Sequence, residues 1–108
     1  MSEPADSPSP PLEQQPPEGA IVRVLPIVNS LGLHARPAAQ FVRTVEKFEA
    51  DVTVSRGHET AGGDSILDLL MLNAGPGSSI TVTATGPQAA EVIAALEALV
   101  AGKFGEDE

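Results

Sequence analysis

Residues 29–39 read Asn-Ser-Leu-Gly-Leu-His-Ala-Arg-Pro-Ala-Ala, and at this point a strand-like segment ends and a helix-like segment begins. Beyond Pro37 the apolar residues recur with the period of an amphipathic helix, at Ala38, Phe41, Val42, Val45 and Phe48. Proline is best tolerated in the first turn of a helix, because its missing N–H would have had no partner there. We therefore expect a helix that begins between Ala35 and Pro37, with His34 at or next to its N-cap.

The start of this helix has the chemistry of an anion site. A helix N-terminus presents unpaired N–H groups and the positive end of the helix dipole, which suit a phosphoryl group. Arg36 adds forked donors that match phosphate, Gly32 permits a positive-φ backbone, and a neutral imidazole keeps one nitrogen free as a nucleophile. The pattern predicts that His34 carries a phosphoryl group stabilised by Arg36, with Gly32, Ala35 and Pro37 supporting the phosphate. The alternative is that His34 only caps the helix.

Length and composition restrict the class of protein. The 108 residues suffice for one domain, and the absence of cysteine excludes disulfides and thiolate metal sites. No apolar run approaches a membrane span, and no secretion signal is recognisable, so we expect a cytoplasmic protein without membrane insertion. The net charge of −9 is concentrated in the terminal segments, since residues 20–105 hold six basic and eight acidic residues. A nucleic-acid partner is not expected, because it would require a basic face.

The chain divides into a tail and one folded domain. Residues 1–19 are rich in proline and acidic residues and poor in apolar ones, so we predict a disordered tail. The domain covers 20–105. Its patterns predict strands at 20–27, 51–55, 58–61 and 79–85, with a two-residue turn at Arg56-Gly57. They predict helices at about 35–47, 65–72 and 87–101, the last with Pro87 in its first position and Gly102 as its stop.

This order of elements is βαββαβα. Strands with alternating faces and amphipathic helices imply an α+β protein with two layers. We expect an open-faced sandwich, in which a four-stranded antiparallel sheet carries all three helices on one face.

The stretch Asn29 to Ala39 resembles the active-site signature of HPr, the histidine phosphocarrier family of the bacterial phosphoenolpyruvate-dependent phosphotransferase system. Residues 65–72, Ser-Ile-Leu-Asp-Leu-Leu-Met-Leu, resemble the regulatory-serine helix of the same family, and the spacing from His34 also fits. The likeness covers about residues 20–103. Residues 69–72 and 84–88 are further similar to the nitrogen-branch paralogue NPr. The resemblance implies the same open-faced fold.

The helix at 65–72 is apolar almost all round, and two interpretations of it stay open. An apolar excess on a short helix beside the site indicates a docking surface for partners, which we assign to Leu67, Leu70 and Met71, with Leu67 and Met71 facing outward. The alternative is core packing. Arg43 and Lys47 on the first helix either meet an acidic partner or are solvated.

Ser65 is a candidate regulatory phosphorylation site, because the resemblance implies a kinase that phosphorylates the matching serine. Asp64 stands where many family members have lysine, and Asp68 lies one turn further on; both would repel a phosphate. A plain N-cap role for Ser65 is the competing interpretation.

The resemblance implies a phosphocarrier rather than a self-sufficient enzyme. An enzyme I-type donor would phosphorylate His34, and enzyme II A-type domains would accept the phosphoryl group. A serine kinase or phosphorylase is a further possible partner, and we expect a monomer. We expect no cofactor and no metal, since a pair of His34 and His58 has no third ligand at suitable spacing. The alternatives are a nitrogen-branch regulatory carrier and a non-catalytic docking module.

Overall fold

A computed structural model of the chain describes residues 19–106. Four strands and three helices follow in the order β1 (Ile21–Pro26), α1 (Ala35–Val45), β2 (Asp51–Arg56), β3 (Glu59–Gly62), α2 (Ile66–Met71), β4 (Ser79–Thr85) and α3 (Ala89–Ala101). A turn at Lys103–Gly105 follows α3. The predicted disordered tail lies outside the described residues, apart from Gly19.

The four strands form one antiparallel sheet in the order β1-β4-β2-β3. In its central register Leu25 lies opposite Ile80, and Val54 lies opposite both Val82 and Ala61. These side chains are buried, because alternate residues of a strand point to the same face of the sheet. The other face is open: Val24, paired with Thr81, keeps 64% of its surface exposed.

The helices cover the buried face of the sheet. α3 packs on β1 and β4, α2 packs against β3, and α1 contacts both other helices. α1 contributes Phe41, Val42 and Val45 to the core, and α3 contributes Val92 and Leu96. The predicted α+β open-faced sandwich is therefore confirmed. None of the helices within residues 19–106 is long and apolar enough to cross a membrane.

The predicted boundaries differ from the structure by one or two residues at several places. Arg56 pairs with Glu59 at the end of the hairpin, so the turn is Gly57-His58 rather than Arg56-Gly57. α1 ends at Val45, two residues earlier than expected. α3 begins at Ala89 behind Gln88, so Pro87 precedes the helix instead of opening it. Gln88 accepts a hydrogen bond from Glu49 N at 2.7 Å, a tertiary contact that fixes this helix start.

Candidate functional site

His34 is the N-cap residue of α1. Its backbone is extended (φ −92°, ψ −168°), and its carbonyl oxygen accepts the first helical hydrogen bond from Ala38 N at 2.9 Å. The imidazole makes no capping hydrogen bond, and 36% of the side chain is exposed. A purely capping role for the ring is therefore excluded, and the imidazole is accessible to a reaction partner.

The loop before His34 is held by its backbone. Gly32 has φ +72°, and a Cβ there would lie 2.6 Å from the carbonyl oxygen of Ala74. Leu33 N donates to the same Ala74 oxygen at 2.9 Å, and His34 N donates to Gly32 O at 3.0 Å. This close approach of two loops requires a residue without a side chain, and it sets the direction in which His34 leaves the loop.

The first turn of α1 offers the donors expected of a phosphate site. No described carbonyl accepts from the amides of Ala35 or Arg36, as is usual for the first N–H groups of a helix. Pro37 is buried and has no N–H, and Ala35 and Arg36 are exposed. Arg36 forms no ion pair within residues 19–106. The guanidinium of Arg36 is therefore available to an anion that approaches the helix end.

Glu106 joins the site from the far end of the domain. Its Oε2 lies 3.0 Å from His34 Nε2, and its Oε1 accepts a hydrogen bond from Asn29 Nδ2 at 3.0 Å. Asn29 is fully buried, and the same Nδ2 donates to Gly32 O at 2.8 Å. The hydrogen bonds from Asn29 and from the His34 ring, together with the nearby positive charge of Arg36, hold the pKa of the Glu106 carboxyl below its ordinary value of 4.5, against the opposing effect of partial burial.

Sequence reasoning missed Glu106. It was counted only among the acidic residues of the C-terminal segment, one position beyond the expected domain of residues 20–105. Glu106 lies 72 positions from His34 in the chain, so no local pattern links them. One indirect signal was present in Phe104, an apolar residue in an otherwise polar end, which is 1% exposed and anchors this segment to the core.

Four large apolar side chains on α2 and in the loop before His34 are exposed, and we call them together the apolar surface: Leu31, Ile66, Leu67 and Met71. Leu67 and Met71 are 68% and 69% exposed, and Leu31, in the loop before His34, is 69% exposed. Leu70, which was expected in the docking surface, is instead half-buried and packs against the core, because it lies on the helix face next to Leu69. Leu31 and Ile66 were not singled out from the sequence.

Ser65 is the N-cap residue of α2. Its Oγ accepts a hydrogen bond from Asp68 N at 3.2 Å, and its own side chain is half-buried. Asp64 is exposed directly before it. The structure thus places the hydroxyl in a cap, with carboxylates on both sides.

The remaining candidates lie on the surface. Arg43 and Lys47 are exposed, Arg43 in the last turn of α1 and Lys47 just beyond it. His58 is exposed in the β2–β3 turn, not in a strand as predicted. Across the described part of the chain, no three residues of the metal-ligating types lie close enough together to hold a metal ion.

Comparison with known proteins identifies relatives over most of the chain. The family model described as "PTS HPr component phosphorylation site" matches residues 21–102. Phosphocarrier protein HPr of Cupriavidus necator is 42% identical over 82 residues, which cover 76% of this chain and 92% of the relative. Phosphocarrier protein NPr of Escherichia coli K12 is 40% identical over 88 residues, covering 81% and 98% respectively.

Solved structures of HPr proteins are also similar in fold to this chain. The crystal structure of HPr-C-His from Thermoanaerobacter tengcongensis has a TM-score of 0.78 at 35% identity, and the match covers 82% of this chain and 99% of that one. A crystal structure of HPr from Bacillus anthracis has a TM-score of 0.73, also at 35% identity, with 77% and 99% covered.

An open-faced sandwich that presents an accessible histidine at a helix N-terminus defines the class of histidine phosphocarriers. Within that class, the sequence matches and the structural matches reported above are to HPr and NPr phosphocarriers. The chain belongs to the HPr family of the phosphotransferase system, and the resemblance on which the sequence prediction rested is confirmed.

Proposed function

We propose that His34 is the phosphorylated residue of this phosphocarrier. It would accept the phosphoryl group of a phosphoenolpyruvate-dependent enzyme I-type donor and pass it to enzyme II A-type acceptor domains. The observation that carries the proposal is the accessible imidazole of His34 at the N-cap of α1, which makes no capping hydrogen bond and has Arg36 in the following turn.

The electrostatics suit a reversible carrier. The N-terminal end of a helix stabilises an anion by about 0.3–2 kcal/mol, which favours a phosphoryl dianion without trapping it. Arg36 supplies a permanent positive charge with forked donors, and the amides of Ala35 and Arg36 supply two more donors. Gly32 and Pro37 serve the site through the backbone, by shaping the loop and the first turn.

The protein is proposed to act as an intermediate and not as a self-sufficient enzyme. Within residues 19–106 the ring of His34 contacts one titratable side chain, Glu106, and no cluster suited to a metal accompanies it. As for the HPr family to which the chain belongs, the phosphoryl group would come from, and go to, partner proteins. A carrier that meets several partners needs a surface that they can share.

The apolar surface supports the docking part of the proposal. Leu67 and Met71 expose more than two thirds of their area on α2, which packs against α1. Large exposed apolar side chains cost free energy in water and are typical of binding surfaces. Arg43 and Lys47 extend the proposed contact with positive charge toward acidic partner side chains. Leu70 is left out of this surface because it packs inward.

A nitrogen-branch regulatory carrier is the second candidate function. The observation that favours it is the 40% identity to the NPr of Escherichia coli over 98% of that protein, nearly equal to the 42% identity to an HPr. Both candidates use His34 in the same way and differ in the donor and acceptors that they meet. The two branches are therefore separated by the partners and not by the chemistry at the site.

A secondary part of the proposal concerns Ser65 and its role as a regulatory phosphorylation site. The hydrogen bond from Asp68 N to Ser65 Oγ supports the cap role of the hydroxyl. A seryl phosphate would stand beside Asp64 and Asp68, whose charges oppose it, so a serine kinase would act against this local field. We propose that Ser65 serves mainly as the cap of α2. A monomeric state and a cytoplasmic location complete the proposal.

The test is phosphorylation in solution. The protein and its His34→Ala variant are incubated with phosphoenolpyruvate, magnesium and enzyme I of either the sugar branch or the nitrogen branch. We expect one acid-labile phosphate by intact mass, absent in the variant, and faster transfer with the cognate donor. A folded protein that takes up no phosphate from either donor would overturn the relay and favour the docking module.

A further inference from the structure

Residues 102–106, the last described residues, form a segment that we call the strap. It returns from the end of α3 to the site. α3 ends at Ala101, and Lys103, Phe104 and Gly105 follow with φ values of 59°, 57° and 78°. A left-handed backbone is disfavoured for residues that carry a Cβ, so two such residues in a row persist only where packing holds them. Phe104, which is 1% exposed, supplies that packing. The strap thereby places Glu106 on the ring of His34.

Both carboxylate oxygens of Glu106 have a partner within the site. Oε1 accepts from the buried Asn29 Nδ2, and Oε2 lies 3.0 Å from His34 Nε2. Only 17% of the Glu106 side chain is exposed. Because Asn29 is itself tied to Gly32 O, the carboxylate is held by the same loop that positions His34.

The hydrogen-bonding roles follow from the chemistry of the two groups. An ionised carboxylate can only accept, so the hydrogen in the contact must belong to Nε2. A neutral imidazole carries one hydrogen, which leaves a lone pair on Nδ1. We propose that Glu106 is a positioning residue for phosphoryl transfer, which holds His34 in the Nε2–H tautomer and so presents Nδ1 as the nucleophile. This inference rests on the proposed function of His34.

The contact between Glu106 and His34 also stabilises the positive charge that forms on the imidazole during transfer. The Nδ1 lone pair forms a bond to phosphorus, while the bond from phosphorus to the donor breaks and its electron pair returns to the donor. Nε2 keeps its hydrogen, so the ring gains a positive charge, which the Glu106 carboxylate offsets. When the phosphoryl group leaves for an acceptor, the electron pair returns to Nδ1 and the ring is neutral again. Glu106 touches neither phosphorus nor Nδ1, and it exchanges no proton in either step.

The experiment compares Glu106→Gln and Glu106→Ala with Glu91→Gln, an exposed carboxylate in the first turn of α3. Nitrogen-15 chemical shifts of the His34 ring, read without phosphate in mildly alkaline solution, distinguish a protonated ring nitrogen from one with a lone pair. A second measurement follows the rate of phosphoryl transfer from phosphorylated enzyme I. The first readout reports the tautomer even in a protein that is never phosphorylated.

We expect the native protein and the Glu91 variant to show Nε2 protonated and Nδ1 bare. In Glu106→Gln the amide can also donate to Nε2, so the Nδ1–H form should increase and the transfer rate should fall about three- to tenfold. Glu106→Ala should move both readouts in the same direction. Unchanged nitrogen shifts in both variants would overturn the inference, whether or not the rate falls. Native protein that takes up no phosphate would instead overturn the function of His34.

Discussion

A Cβ on Gly32 would lie 2.6 Å from the carbonyl oxygen of Ala74 and 2.7 Å from the Cα of Gly75. These contacts are with backbone atoms, which cannot rotate away. The loop that carries His34 is therefore locked against the loop after α2. The geometry of the site depends on a residue that takes no part in its chemistry.

Gly32→Ala tests this lock. We expect it to lower the free energy of unfolding by about 2–5 kcal/mol, the sum of a left-handed residue with a Cβ and an overpacked contact. Gly57→Ala is the matched control, since Gly57 also has positive φ (+63°) but no atom within 4 Å of its Cβ position. The control should lose only about 1–2 kcal/mol. Equal losses in urea unfolding would mean that the contact with Ala74 is not tight.

Arg36 should matter for rate rather than for stability. It is exposed and has no ion-pair partner among the described side chains. We expect Arg36→Ala to slow phosphorylation about ten- to a hundredfold, as for one lost charge-assisted hydrogen bond. Arg36→Lys should recover part of the rate, because it restores the charge but not the forked geometry. Arg23→Ala is the control, since Arg23 pairs with Glu97 at 3.5 Å and has no role in the site. A rate equal to native in Arg36→Ala would contradict the assigned role.

Met71→Glu should weaken docking without unfolding the domain. Met71 is 69% exposed, so a charge there meets little desolvation in the free protein but opposes burial in a complex. We expect the KM for the carrier in phosphorylation by enzyme I to rise about tenfold with little change in kcat. Val24→Glu, on the open face of the sheet at 64% exposure, provides a control of similar exposure. If both variants raise KM equally, the effect is one of net charge and not of the apolar surface.

Ser65→Ala measures the worth of the α2 cap. Loss of the acceptor for Asp68 N should reduce the free energy of unfolding by about 0.5–2 kcal/mol. Ser79→Ala, at the exposed start of β4, should change it much less. The rate of His34 phosphorylation should be unaltered in both. A stability loss no larger than that of the control would argue against the cap role.

The acid stability of the protein should depend on Glu106. Its carboxyl pKa is lowered in the folded state, so its contribution to stability is present above its ordinary, unfolded-state pKa of 4.5. That contribution is lost as the pH falls through the lowered native pKa. We therefore expect the difference in unfolding free energy between native protein and Glu106→Gln to be largest near neutral pH and to decrease in acid. A difference that is constant with pH would show that the carboxylate charge is not involved.

The arrangement of strands and helices followed from local pattern. The alternation of Ile80, Val82 and Ala84 with three threonines dictated which face of β4 is buried, and the period from Ala38 to Val45 dictated the buried stripe of α1. His34, Gly32 and Arg36 were also recognisable locally, because a helix start, a positive-φ glycine and a forked cation lie within five residues. The error at the start of α3 has a tertiary cause, because the hydrogen bond from Glu49 N to Gln88 holds the residue before the helix.

The sequence by itself determined the fold class, the position of the histidine at a helix N-terminus and the expectation that this terminus attracts an anion, since each depends on residues a few positions apart. The outward orientation of Leu67 and Met71 was already expected from the sequence, but only the tertiary structure decided that Leu70 packs inward, because the three side chains are equally apolar and differ only in what packs beside them. It alone brought Glu106 to His34. That contact depends on the buried side chain of Phe104 and a left-handed turn, and the 72 positions that separate the two residues leave no periodic trace in the chain.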